Sequence, residues 1–511
     1  MTNTSTLSDD ASTDTISTVP GSPSTGSYIS TGSAGAAKAK STASDPGGVT
    51  TGNKWSRASW LLLLVVCIVI ALDGLDVSMV GVALPSIGIE LGLETNSLQW
   101  LVSAYVLGYG SLLLLGGRLA DLLGRRRILL IALGVFAAAS LLGGLVDDPT
   151  ILIATRFVKG VAAAFTAPAA FSLITTNFAE GPARNKAISI FTTFAASGFS
   201  LGLIVGGLMT SVSWRWTFLF SVPFAVAALV LGLFFVPRDK RVAGSGHDIW
   251  GALTLAVGML GLVYTVVSAP GVGWGSLQTI GGLVVSGLVL AGFAVIELRV
   301  RHPLIRFGIL RQGWVARANL SAIALFGSYV SFQFILTIYL QSVLGWSPLS
   351  MALSLLPAGL VVVATAPFAD RLIARFGARL LIIVALAALS AGYLLFLRVG
   401  TSPNYLVDLL PSVLLLGVGF GLGFPSIQVQ ATSGIVNNEQ GLAAGLVQSS
   451  SQVGAAFVLA VTSALIAGGS GMDAAPAVLL DQFRPGLILS TAVAVAGLLV
   501  AVLPRRRARR S

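Results

Sequence analysis

From residue 57 onward, long apolar runs alternate with short polar breaks. The runs predict helices at roughly 58–84, 97–117, 128–146, 150–177, 187–210, 216–236, 248–268, 276–296, 315–342, 349–369, 379–398, 405–428, 440–468 and 486–504. Each is near the ~20 residues that a helix needs to cross a bilayer. Fourteen such runs describe an all-α, polytopic membrane protein. Residues 1–56 are rich in Ser, Thr, Gly, Ala and Asp and hold almost no large apolar side chain. Such a stretch cannot bury enough surface to fold, so a disordered tail is expected there. It does not read as a signal peptide, being long and polar, with no small-residue cleavage site after the apolar run.

Composition agrees. Of 511 residues, 55% are hydrophobic and 10% charged. A soluble domain carries about 25% charged residues. Cys67 is the single cysteine, so no intramolecular disulfide can form. The net charge of +11 would suggest nucleic acid in a soluble protein. Here the basic residues stand in short loops between apolar runs, which points to membrane orientation instead. With the N-terminus in the cytoplasm, 26 of the 31 Lys and Arg fall in cytoplasmic segments. Arg215, Arg398 and Arg484 fall outside, and Arg156 and Lys159 lie within a run. The asymmetry predicts an even number of spans and two cytoplasmic termini. The run Arg505 to Arg510 directly follows a span and reads as an anchor near anionic lipid. No nucleic-acid partner is expected.

A repeat divides the chain. Arg118, Leu119 and Gly124 follow the second run, and Arg371, Leu372 and Gly377 follow the tenth at the same spacing. Matching loops suggest two similar halves. The expected organisation is a tail at 1–56, a six-helix bundle at 57–237, two inserted helices at 248–296, a second bundle at 314–504 and a basic tail at 505–511.

Candidate chemistry sits inside the spans. Asp73 and Asp76 lie in the first apolar run, where a carboxylate costs a few kcal/mol or more unless it faces protein or a water-filled cavity. Gln333, Gln448 and Gln452 are uncharged polar groups in later spans, and they either line a cavity or bond neighbouring helices. Tyr105, Tyr109, Tyr329 and Phe332 are candidate aromatic walls. Gly198, Gly202, Gly206 and Gly207 make a smooth ridge that allows close helix approach. His247 and His302 lie in loops, and no metal site is expected. No nucleophile–base set points to an enzyme, and no phosphate loop points to ATP.

Gly117-Arg118-Leu119-Ala120-Asp121-Leu122-Leu123-Gly124-Arg125-Arg126-Arg127 resembles the loop signature of the major facilitator superfamily, G-x-L-a-D-x-x-G-r-r-r. The resemblance implies a conformational latch built on Gly117, Arg118, Asp121, Gly124 and Arg125. In the second copy Ala374 stands where Asp121 stands, and Asp370 where Gly117 stands. Leu75-Asp76-Val77-Ser78 with Val82-Ala83-Leu84-Pro85 resembles the L-D-x-T…V-A-L-P signature of the fourteen-helix drug:proton antiporters. Ser78 replaces Thr, and Gly81 stands where Asn is usual. Arg156 to Gly160 is similar to that group's R-x-x-Q-G, with Lys159 in place of Gln. The glycine ridge resembles G-x-x-x-G-P-x-x-G-G, with Leu203 in place of Pro. Trp100 with Ala104-Tyr105, Gly181 to Asn185 and Trp214-Arg215-Trp216 add to the likeness, which runs particularly to actinobacterial efflux pumps.

The resemblance implies the major facilitator fold, two six-helix bundles plus two central helices. It also implies a monomer in the plasma membrane that exports hydrophobic or cationic drugs or natural products. It needs no cofactor, and the proton gradient supplies the energy. A lipid or cell-envelope exporter and a metabolite symporter or facilitator are the alternatives. Proton coupling falls to Asp76 and Arg156, with Asp73 and Lys159. Counted from the outer helix ends at ~1.5 Å per residue, Asp76 and Arg156 lie at similar depth, as do Asp73 and Lys159. Two ion pairs, Asp76–Arg156 and Asp73–Lys159, are therefore expected. A fluorescent reporter that folds only in the cytoplasm, fused after Arg510, should fluoresce. A dark but membrane-inserted fusion would overturn the topology.

Overall fold

The structure is a computed structural model that describes residues 55–93, 95–179, 182–238, 249–300, 308, 312–365, 368–435, 440–467 and 476–503. All but two residues of the expected tail, both histidines and the Arg505 to Arg510 run lie outside the described residues.

The first six helices are α1 (Arg57–Leu91), α2 (Thr95–Leu123), α3 (Arg125–Leu145), α4 (Pro149–Asn177), α5 (Pro182–Val212) and α6 (Trp216–Leu219). Then come α7 (Ser221–Phe235), α8 (Ile249–Val272), α9 (Leu277–Arg299), α10 (Gly313–Ile338) and α11 (Pro348–Thr365). The chain closes with α12 (Ala369–Phe376), α13 (Ala378–Phe396), α14 (Leu410–Thr432), α15 (Gln440–Ala467) and α16 (Pro476–Val502). Single π-helical turns, Tyr339–Val343 and Tyr405–Leu409, extend α10 and precede α14. With α6 and α7 forming one span, fourteen spans are present among the described residues.

Local chemistry sets the ends. Ser56 caps α1 by accepting from the Ser59 N–H, and Asp148 caps α4 by accepting from the Thr150 and Ile151 N–H groups. A side-chain oxygen there satisfies N–H groups that have no helical partner. Trp55, placed by sequence in the tail, instead packs on Trp60 and Phe178. The first helix also outruns its sequence boundary near residue 84. It continues through Pro85 to Leu91 and stops at Gly92, whose φ of 62° suits a residue without a Cβ. A proline inside a helix disturbs the bonding of the turn before it. In that turn the Val82 carbonyl accepts from Gln341 Nε2 of the second half at 2.9 Å.

Within the first half, α1 packs on α5, α2 on α4, and α3 on α4 and α7. In the second, α10 packs on α15 and α16, and α13 on α14. The halves meet where α5 touches α11 and α2 touches α15. Of the two added helices, α8 lies against both α2 and α15, and α9 packs on α8. Lipid tails are as apolar as a leucine side chain, so close packing of small residues holds such helices together. The α5 ridge does this against α1. Gly198 faces Ala71, Gly202 faces Leu75 and Ser78, and Gly206 faces Met79. Gly207 looks the other way, onto Pro348, Leu349 and Ala352 of α11.

The repeat is visible in the backbone. Gly124 (φ 100°) joins α2 to α3, and Gly377 (φ 80°) joins α12 to α13. Two residues beyond each, an arginine caps the last helix of its own half. Arg126 donates to the Leu233 carbonyl of α7. Arg379 donates to the Ala501, Val502 and Leu503 carbonyls ending α16. A cation there satisfies carbonyls that the helix leaves open.

A Cβ on Gly198 would come 2.6 Å from the Ala71 carbonyl oxygen, backbone that cannot turn aside. Gly198→Ala should cost about 1–3 kcal/mol of stability through overpacking. Gly134→Ala, with nothing within 4 Å of the new atom, should cost nothing measurable. Thermal unfolding of the two purified variants checks this, and equal melting would refute the close α1–α5 contact.

Candidate functional site

The site begins at a close helix contact. Gly160 of α4 lies against the Tyr105 backbone of α2, and Gly108 of α2 lies against Phe157 and Val161 of α4. Side chains leaving α4 on the adjoining face therefore arrive at α1. Two of them, Arg156 and Lys159, carry charge.

Both reach Asp76. Arg156 Nη1 bonds one carboxylate oxygen and Lys159 Nζ bonds the other. All three side chains are buried. The remaining geometry suits each cation. Arg156 also donates Nε to the Leu101 carbonyl at 2.9 Å and lies over the Tyr105 ring, 4.7 Å from its centroid. Lys159 Nζ sits 4.8 Å from the Phe136 centroid and 5.2 Å from that of Phe218. Cations are attracted to such ring faces. Ser78, two residues on, bonds back to the Gly74 and Leu75 carbonyls and leaves the carboxylate to the cations.

This corrects the expected pairing. Asp76 meets Arg156 as the depths imply, but Lys159 bonds Asp76 as well, and Asp73 has neither cation. Depth along two helix axes ignores rotation. Asp73 and Asp76 differ by about 60° around α1 at 3.6 residues per turn. The long Arg and Lys stems then converge on the carboxylate that faces α4. Asp73 shares its face with Val77 four residues on. Val77 packs with Tyr105 and Tyr109 of α2. Asp73 is 6% exposed, and its Oδ2 is buried with no hydrogen-bond partner among the described residues.

The other sequence candidates divide. Tyr329, Phe332 and Gln333 line one small cavity with Phe199, Leu355 and Phe420, leaving about 30 Å³ for the centre of a water molecule. In its aromatic wall Phe199 stacks on Phe420 at 6.1 Å, and Tyr329 meets Phe420 at a tilt, 4.9 Å between centroids. Phe332 turns mainly into the second half's core, against Tyr393 and Phe396. Tyr109, Gln448 and Gln452 stand apart, where α2 meets α15, while Tyr105 turns its ring to Arg156 of α4. Gln448 lies near Tyr109, and Gly110 abuts the Gln452 stem. In the latch loop, Gly117 and Gly124 are placed, and Arg118 and Arg125 each have a partner. The Asp121 side chain lies outside the described residues.

Three groups escaped the sequence reading. Phe199 and Phe420 look like any apolar residue in an apolar run. The third group is charged. Arg215 bonds Glu90 beyond the middle of α1 and Asp147 of the α3–α4 loop, and Trp214 Nε1 donates to Glu90 at 2.8 Å. The Glu90 hydrogen bond, helped by Asp147, raises the Arg215 guanidinium above its ordinary value. The Trp-Arg pair was visible in sequence, but its two acids, far off in the chain, were not.

The Major Facilitator Superfamily family model matches residues 66–459. The puromycin resistance protein pur8 of Streptomyces alboniger is 37% identical over 458 residues, covering 87% of this chain and 90% of that protein. The cephamycin export protein CmcT of Amycolatopsis lactamdurans is 35% identical, covering 88% and 93%. A crystal structure of a D-xylose–proton symporter superposes with a TM-score of 0.62 at 16% identity, covering 87% of this chain and 97% of that one. That last likeness is one of fold.

Arg156 serves a carboxylate and a carbonyl from two separate nitrogens of one rigid fork, a geometry that the single nitrogen of lysine does not reproduce. Arg156→Lys should lower the stability of the purified protein by about 1.5–3 kcal/mol, the worth of a hydrogen bond to a charged group. Thermal unfolding reads it, and an unchanged midpoint would deny the Leu101 bond any role.

Proposed function

The chain belongs to the major facilitator superfamily, and we propose that it exports hydrophobic or cationic drugs or natural products across the plasma membrane in exchange for protons. The observation that carries this reading is the charge cluster inside the spans. Ionisable groups at that depth are costly and are kept where they move an ion or a substrate. A purely structural bundle of this kind would pack better with apolar side chains. Curated relatives with antibiotic resistance and export names support the direction of transport.

The physical cycle follows from two states. Export needs the halves to rock so that the site opens to one side and then to the other. A proton can drive this only if its binding favours one arrangement over the other. The acids and bases of α1 and α4 supply that difference. The seams at α5–α11 and α2–α15 are the surfaces that part. The latch loop at Asp121 would bias the same equilibrium from the cytoplasmic side.

The test uses full-length protein in inside-out vesicles with an acid interior. Puromycin, named in one relative, is the first probe and an internal pH dye the second. Puromycin should accumulate inside while protons leave, and a protonophore should abolish both. Puromycin and protons moving in the same direction would make the protein a symporter, and movement indifferent to the protonophore would make it a facilitator.

A further inference from the structure

The small cavity takes its lining from α5 of the first half and from α10, α11 and α14 of the second, and no charged side chain is part of that lining among the described residues. Its walls are aliphatic groups and the rings of Phe199, Tyr329, Phe332 and Phe420. About 30 Å³ is open to the centre of a water molecule. With the radius of the water added back, that is room for roughly one aromatic ring.

Polar groups are few. Gln333 and Tyr329 are the two polar side chains of the described lining. Tyr329 lays its ring against Phe199 and Phe420. Gln333 makes no hydrogen bond among the described residues, whereas Gln341, further along the same segment, donates to the Val82 carbonyl. An amide left unbonded inside a span is costly, and it is retained where a ligand or a water completes it. The neighbour across the seam explains why it is unbonded. A Cβ built on Gly81 of α1 would have one atom within 4 Å, Gln333 Nε2 at 3.9 Å. Asn, usual at that position in the signature this stretch resembles, would set a second amide against Gln333. Gly81 sets none there. The Gln333 amide turns its N–H groups toward α1, so the group it lacks is an acceptor.

Resting on the export reading, we propose that Gln333 is a specificity-determining residue: it donates a hydrogen bond to the carbonyl of an uncharged aromatic carbonyl compound whose ring enters the cavity, and Gly81 keeps the amide available for that bond. The ring meets Phe199, Tyr329 and Phe420, and the carbonyl meets the amide. Aromatic walls alone accept any flat apolar group. A buried amide rejects the analogue that cannot bond it, because the amide is then left unpaired. Gln333 belongs to α10 and Gly81 to α1, so this choice is made where the two halves face each other.

The experiment measures binding of benzophenone and of diphenylmethane to the full-length protein in nanodiscs, with the uptake of empty nanodiscs subtracted. The probes share both rings and differ in the carbonyl, and the parent should prefer benzophenone. Gln333→Leu should weaken benzophenone binding about three- to tenfold, the loss of one uncharged hydrogen bond, and change diphenylmethane binding less than about twofold. Gly81→Asn should lower the preference with Gln333 still in place, and Gly81→Ala, whose methyl fits at 3.9 Å, should keep it. Equal losses for both probes in Gln333→Leu would overturn the proposal. So would a preference that falls in Tyr329→Phe and survives in Gln333→Leu. If Gln333→Leu does not fold, the carbonyl stretch of benzophenone bound to the parent decides. A stretch below its frequency in dry hydrocarbon, restored by Gly81→Asn, supports the bond, and an unshifted stretch refutes it. Vesicle transport separates the two levels. Vesicles that move no puromycin under a proton gradient while benzophenone is still preferred remove the export reading. Vesicles that export puromycin while both probes bind alike remove this inference alone.

Discussion

Two cations share one carboxylate in the interior of the first half, and much of that half's packing serves their meeting. A buried guanidinium or ammonium is tolerable only with a counter-charge and hydrogen bonds in place. Asp76 supplies the charge, and the Leu101 carbonyl and nearby ring faces supply the rest. The glycines of α2 and α4 bring their backbones together, and the α5 ridge presses α1 inward from the other side. Each small residue shortens a distance that a charge has to span. Replacing a buried ion cluster by apolar groups often costs nothing, whereas removing one partner costs about 3–5 kcal/mol. A cluster retained at such risk is better explained by what it does than by stability.

Much of the fold was legible. Hydrophobic run lengths found fourteen spans, because a bilayer imposes length and apolarity on a helix. The Gly124 and Gly377 repeat was legible because a turn at positive φ selects glycine. Sequence went astray where rotation about an axis matters. Asp73 and Lys159 lie at similar depth, yet the lysine bonds Asp76, since a sequence reports rise more readily than facing. The same blindness hid Glu90 and Asp147 from Arg215. It also mixed residues of one cavity, such as Tyr329 and Gln333, with Tyr109 and Gln448 on a different seam. Pro85 misled in another way. A proline normally marks a helix end, but packed neighbours carry α1 two turns past it.

The contacts between halves show how the site connects to movement. Gln341 reaches the turn disturbed by Pro85, and Gly207 turns from its ridge to meet α11. Both lie toward the ends that the charge pattern assigns to the outside. Elsewhere α2 and α15 meet, and α8 lies against both. A transporter that rocks must break such contacts on one face while making others opposite. Asp76 holds both bases and Asp73 holds neither, so the two acids are not equivalent.

That division of labour is the central claim, and a pair of double-mutant cycles in thermal unfolding tests it most directly. One cycle combines Asp76→Asn with Lys159→Gln, and the other combines Asp73→Asn with Lys159→Gln. Residues in direct ionic contact couple by about 0.5–3 kcal/mol, and independent sites add within about 0.5 kcal/mol. The geometry predicts strong coupling of Lys159 to Asp76 and weak coupling to Asp73. Strong coupling of Lys159 to Asp73 with little to Asp76 would contradict it.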